Sequence, residues 1–152
     1  MRYHILAIGR IRRGPLAAAQ ADYAGRLAPP PAIVELEEKR PLPEAQLKAR
    51  EAALILASVP HSARLVALDP RGEPWSSRDL ASHLRDWADR GIGAAAFAIG
   101  GAAGLDASIL AKADTVLSLG AMTWPHFLAR IMLLEQLYRA QQILAGHPYH
   151  RE

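Results

Sequence analysis

One feature limits what this chain can become more than any other: strand-like and helix-like stretches alternate along its whole length. "RYHILAIG" (2–9) reads as a buried strand and "PLAAAQADYAGRLA" (15–28) as a helix, with Pro15 suited to its first turn. "APPP" (28–31) breaks that helix, and "AIVELE" (32–37) follows as a second strand. "PEAQLKAREAALILASV" (43–59) is rich in helix formers; "RLVALD" (64–69) is a third strand, stopped by Pro70 and Gly72. "SSRDLASHLRDWADRG" (76–91) has capping-box spacing at Ser76 and Asp79 and a stop at Gly91. "AAAFAIGG" (94–101), "LDASILAKA" (105–113), "TVLSLG" (115–120) and "PHFLARIMLLEQLYRAQQILAG" (125–146) complete the series as strand, helix, strand and long helix. Five β-α units predict an α/β fold: a parallel-rich sheet with helices on both faces. There is no internal repeat and no flexible linker, so 152 residues fit one domain, 1–152.

Composition narrows the function classes. With 51% hydrophobic and 22% charged residues the chain can bury a core, and extensive disorder is not expected. The absence of cysteine removes disulfides and thiolate metal sites and fits an intracellular, cytoplasmic setting. "MRYHILAIGRIRRG" lacks the long apolar run and small-residue cleavage site of a signal peptide. No stretch approaches the ~18 apolar residues of a membrane span. A net charge of +3 is compatible with a nucleic-acid partner without requiring one.

In an open α/β sheet, ligands bind beyond the carboxyl ends of the strands. Three segments fall there: Leu68 to Gly72, Gly100 to Gly104, and Leu119 to Pro125. All are poor in charge and two are rich in glycine, which lets backbone approach a ligand closely. "GGAAG" alone is equally a tight strand-to-helix turn; three such loops at one sheet end point to a pocket. Arg10, Arg12 and Arg13 cluster at the same end, either as a solvated turn or as a phosphate contact.

The last helix is too apolar for a surface position. At about 100° per residue, Phe127, Ile131, Leu133, Leu134, Leu137, Tyr138, Ala140 and Leu144 cover half its circumference; Leu128, Met132 and Ile143 intrude on the other half. Burial against the sheet and against a second subunit would satisfy it, which suggests a homodimer. Arg130 and Gln141 lie inside the apolar arc; Arg130 needs as partner a carboxylate or backbone carbonyl across an interface, the favoured reading, or a phosphate or ligand carboxylate. The closing "GHPYHRE" carries two histidines, a tyrosine and an arginine where chain ends usually fray. His147, His150 and Glu152 have a weak metal-like spacing that Pro148 disrupts, and no metal is expected. Trp75 and Trp87 read as packing residues, and His4 and His83 as structural.

With "ILAIGR", "ALDPRG", "IGGAAGL", "MTWPHFLAR", "EQLYRA" and "HPYHRE" in view, the whole chain resembles the bacterial large-subunit ribosomal RNA methyltransferase H family of the SPOUT superfamily. That resemblance implies an α/β-knot fold with a C-terminal trefoil knot, a homodimer, and S-adenosylmethionine as methyl donor. It implies methylation of N3 of a pseudouridine in 23S rRNA on the assembled ribosome, with no membrane and no metal involved. Leu68, Gly100, Leu119, Gly120, Ala121, Met122, Thr123 and Trp124 would line the donor pocket through their backbone. Arg139, Tyr149, His150 and Arg151 match positions near the target base. A general base would assist loss of the N3 proton, with His150 first and His147 second, but arginine-assisted positioning is the favoured mode. The competing classes are a non-catalytic ribosome-associated domain of the same fold and a nucleotide-binding α/β domain unrelated to RNA. Turnover excludes the first and donor binding the second.

Overall fold

The computed structural model describes residues 1–151, and Glu152 lies outside the described residues. Five strands and five helices follow one another in strict alternation: β1 (Arg2–Ile8), α1 (Pro15–Arg26), β2 (Ala32–Leu36), α2 (Glu44–Ser58), β3 (Arg64–Pro74), α3 (Ser77–Asp89), β4 (Ala94–Ile99), α4 (Ala107–Lys112), β5 (Thr115–Ser118) and α5 (His126–Leu144). The strands form one sheet in the order β2-β1-β4-β3-β5, and every neighbouring pair is parallel. All strand carboxyl ends therefore point toward one edge, where the candidate loops after β4 and β5 emerge; the 68–72 segment lies within β3.

The two-residue period of each strand divides the core in two. Ile5, Ala7, Val66, Phe97 and Ile99 face Leu80, Leu84 and Trp87 of α3 and Leu133, Leu134 and Leu137 of α5. Leu6, Ile8, Leu65 and Ala67 face Ala52 and Ile55 of α2 and Ile109 of α4. On that second side β4 offers only Ala96 and Ala98, so its central strand is smooth there and the helices can seat closely. Ser76 caps α3: its hydroxyl accepts the Asp79 N–H, and the Asp79 carboxylate accepts the Ser76 N–H, a complete capping box.

The width of the apolar arc on α5 has a local cause. The helix lies on the sheet with α1 on one side and α3 on the other. Gln141 sits in the arc because its amide bonds the Ala28 backbone in both directions: Nε2 donates to the carbonyl at 3.0 Å and Oε1 accepts the N–H at 3.3 Å. Arg130 is fully buried. Its guanidinium donates to Glu35 at 2.7 Å, Gln20 at 3.1 Å and the Gly9 carbonyl at 3.0 Å. The partners are thus a carboxylate, a side-chain amide and a backbone carbonyl, within this chain instead of across an interface as expected, and they tie α5 to α1 and to the ends of β1 and β2.

The expected stop of the third strand at Pro70 is corrected by the structure. Leu117 of β5 pairs with both Leu68 and Glu73 of β3, and Ser118 pairs with Pro74. The intervening residues bulge outward, so Pro70 sits where no ladder bond is demanded of it, and the strand then resumes. Gly72 is needed at the return: a β-carbon there would lie 2.5 Å from the Val116 carbonyl oxygen.

Candidate active site

The bulge in β3 and the ends of β4 and β5 enclose a cavity of about 280 Å³. Its walls come from Leu68 to Pro70, Ile99 to Leu105, Leu119, Gly120, Met122 to Trp124, His126 and Ala129. Seven of the eight residues expected to hold the donor line it: Leu68, Gly100, Leu119, Gly120, Met122, Thr123 and Trp124; Ala121 is exposed beside them. The glycine loop is both of its earlier readings at once. Gly104 N–H donates to the Gly101 carbonyl at 3.0 Å, closing a tight turn, and the same turn forms one wall of the cavity. Gly100 allows that closure, since a β-carbon on it would lie 2.6 Å from the Gly104 carbonyl carbon.

Opposite, the turn after β5 is set by Ser118, whose buried hydroxyl accepts the Gly120 N–H and donates to the Gly120 carbonyl. Beyond it no backbone N–H from Ala121 to Trp124 donates a hydrogen bond among the described residues. Met122 is 72% exposed and Trp124 is 40% exposed at this rim, a large apolar offering for a surface loop. Asp69 is held by Arg71, whose guanidinium meets both carboxylate oxygens, at 2.9 Å and 3.0 Å, and whose N–H donates at 2.8 Å. The Arg71 side-chain bonds are the main reason that carboxyl stays below its ordinary range, against the opposing effect of burial. The result is a small cleft with glycine and apolar walls, free backbone donors, and no lysine or arginine lining it.

Of the four residues expected near the target base, Arg139 lies further along α5, and Tyr149, His150 and Arg151 lie in the tail after it. Glu135 binds two of them, and a third contacts Arg139. Glu135 accepts from Arg139 Nε at 3.0 Å and Nη2 at 2.6 Å, and from the Tyr149 hydroxyl at 3.1 Å. Arg139 Nη1 lies 3.5 Å from His150 Nδ1, and its Cζ sits 5.0 Å from the Tyr149 ring centre. Tyr149 also meets Tyr138 edge to face at 4.7 Å. Burial first, then the Glu135 bond, pushes the Tyr149 hydroxyl above its usual range. The tail is therefore folded back on α5, while Arg151 is exposed. Ten helical residues separate Ala129 in the cleft wall from Arg139, about 15 Å along the axis. In one subunit the tail cluster does not enter the cleft. Glu135 also lines a second cavity of about 550 Å³ between α3 and α5, which shares Leu119 and Gly120 with the cleft.

Two site residues escaped the sequence reading. Glu135 was signalled by its i,i+4 spacing to Arg139. His126 was signalled by its place just after Pro125, where the third loop enters α5. Among the described residues no group of three histidine, aspartate or glutamate side chains is placed to hold a metal ion. No helix among them is long and apolar enough to cross a membrane.

A family model described as "Predicted SPOUT methyltransferase" matches residues 1–150. The chain belongs to the SPOUT methyltransferase family. A relative from Paramagnetospirillum magneticum named ribosomal RNA large subunit methyltransferase H is 52% identical over 151 residues, covering 99% of each chain. Among solved structures, a probable methylase family protein from Haemophilus influenzae Rd KW20 is similar with a TM-score of 0.61 at 16% identity, over 99% of this chain and 70% of that one. A Legionella pneumophila protein solved with bound SAM is similar with a TM-score of 0.53 at 15% identity, over 92% of this chain and 66% of that one. SPOUT methyltransferases use S-adenosylmethionine, and the cleft suits it. Glycine backbone and free N–H groups can meet the purine and ribose, apolar walls can cover them, and no lining cation opposes a sulfonium.

Proposed function

We propose that this chain, residues 1–152 as one domain, transfers a methyl group from S-adenosylmethionine to N3 of a pseudouridine in 23S rRNA of the assembled ribosome, in the cytoplasm and as a homodimer. The observation that carries the reading is the coincidence of near full-length 52% identity to a large-subunit rRNA methyltransferase with a charge-poor glycine cleft at the strand ends. When bound, the donor supplies a methyl group already activated on a sulfonium. The residues of this chain then have two tasks: to hold the donor through Leu68, Gly100 and the run from Leu119 to Trp124, and to present the base.

The separation of about 15 Å between cleft and tail cluster argues for a second subunit. A partner's α5 would bring Arg139, Tyr149, His150 and Arg151 over this subunit's cleft. The exposure of Leu128 and the partial exposure of Met132 on α5 support such packing. There the arginines hold the base or a flanking phosphate and stabilise the charge that develops as the imide loses its proton. The C-terminal segment threads a deep trefoil knot, a reading supported by membership of the SPOUT family.

The test is transfer of labelled methyl from S-adenosylmethionine to ribosomes of a strain lacking this modification, with the label mapped in the RNA. Label on one pseudouridine of the large-subunit RNA is expected. Donor binding without any label on ribosomes would refute the substrate, and absence of donor binding would refute the cleft.

A further inference from the structure

The charges around the cleft lead one step further, on the reading that it holds S-adenosylmethionine. Of its lining side chains only Asp69 and His126 are ionisable. Asp69 is already neutralised by Arg71 through two side-chain bonds. His126 is therefore the one lining group whose protonation would place a positive charge in the cleft.

Its setting opposes that proton. His126 is the first residue of α5, at the positive pole of a 19-residue helix. Its ring is part-buried, edge-on to Phe127 at 4.4 Å, with Nε2 3.3 Å from where a side chain on Gly9 would begin. Arg130 stands one turn along the same helix. Burial, then the Arg130 charge, holds His126 below the ordinary histidine range. Of the other charged groups on neighbouring elements, Arg130 pairs with Glu35 on β2, Arg71 with Asp69 on β3, and Arg10 after β1 with Glu37; on α2, Glu51 lies behind the glycine turn, its carboxyl pushed up by burial and 3.4 Å from where a side chain on Gly101 would begin, and the Lys48 charge acts on Asp69. The runs 100–104 and 119–124 contribute no charged residue.

Methyl transfer changes the donor's charge. A sulfonium becomes an uncharged thioether, so S-adenosylmethionine carries one more positive charge than S-adenosylhomocysteine, at the sulfur. We infer that His126 is a specificity-determining residue: as a neutral ring it admits the sulfonium donor, and as a cation it sets the cleft against the donor but not against the thioether product.

Calorimetry of both compounds with the wild-type protein, His126→Gln and His126→Lys tests this at about pH 8 and about pH 4.5, the lower point taken below the ordinary histidine range because burial and Arg130 hold His126 under it. Circular dichroism confirms that each variant is folded under both conditions. In the wild type, acidification should weaken the donor relative to the product by roughly five- to tenfold, a typical coupling between two sites. His126→Gln should abolish that change in ratio, because His147 and His150 remain while the cleft histidine is gone. His126→Lys should show the weakened ratio at both pH values. An unchanged wild-type ratio, or the same acid response in His126→Gln, overturns the inference while leaving the donor cleft standing. Failure of the wild type to bind either compound at the higher pH overturns the cleft reading, and this inference with it.

Discussion

Replacing Arg130 with methionine is the sharpest test of how the fold holds its cleft. The substitution keeps the apolar stem and removes donors to Glu35, Gln20 and the Gly9 carbonyl together. Breaking a buried ion pair from one side typically costs roughly 3–5 kcal/mol, because the other charge is left behind. The Glu35 side chain keeps 24% of its exposure, and water can recover part of that loss, so about 3 kcal/mol is expected. For a chain of this size that corresponds to a fall in Tm of about 6–12 °C. Urea denaturation should show a lower midpoint at an unchanged slope. The double variant Arg130→Met with Glu35→Gln should recover much of the loss, since the amide can still accept the Ile11 N–H and no buried charge remains. A single variant losing less than about 1 kcal/mol, or a double as unstable as the summed singles, would refute this account of the pair.

Four other outcomes follow from the same geometry. Burial pushes the Glu35 carboxyl up, but the Ile11 N–H and Arg130 together hold it below the usual carboxylate range; its stabilising contribution is present above the unfolded carboxylate pKa and lost as pH falls through the folded value, so Glu35→Gln should flatten the acid side of a plot of urea midpoint against pH. Gly100→Ala forces the glycine turn open and should cost roughly 1–3 kcal/mol, with donor affinity reduced by tenfold or more in calorimetry. Ser76→Ala removes half of the α3 capping box and should cost about 1 kcal/mol in thermal melting, with donor affinity unchanged. Removing residues 147–152 strips Tyr149 from Glu135 and Tyr138; stability should drop by about 1 kcal/mol, donor binding should persist, and methyl transfer should collapse.

Much of the fold was legible because local signals agreed. Pro15, the Ser76–Asp79 box and the short apolar run of β4 before its glycines each place an element within a residue or two of where it lies. The end of β3 was not, because Pro70 and Gly72 carry the local signature of a stop while pairing with β5 resumes at Glu73. That decision belongs to a strand more than 40 residues away, which no window around Pro70 contains. The partner of Arg130 was hidden for the same reason: Glu35 sits 95 residues earlier, on another element. The strand-end cleft was readable because parallel sheet topology brings the loops after the strands together, while its individual residues came from the family resemblance. The tail was only half readable: its composition marked it as more than a frayed end, but its docking on Glu135 depends on the helical phase of α5.

That phase has a consequence for change in this chain. One rigid helix carries the cleft wall at His126 and Ala129 and the tail anchor at Glu135 and Arg139. A residue inserted between Ala129 and Glu135, even on the exposed side, would advance everything after it by about 1.5 Å and turn it by about 100°. Glu135 and Arg139 would keep their bond to each other, yet both would swing away from their present bearing relative to the cleft. The distance between the cleft and the tail cluster is thus counted in helical residues, and α5 should tolerate substitution far better than a change in length.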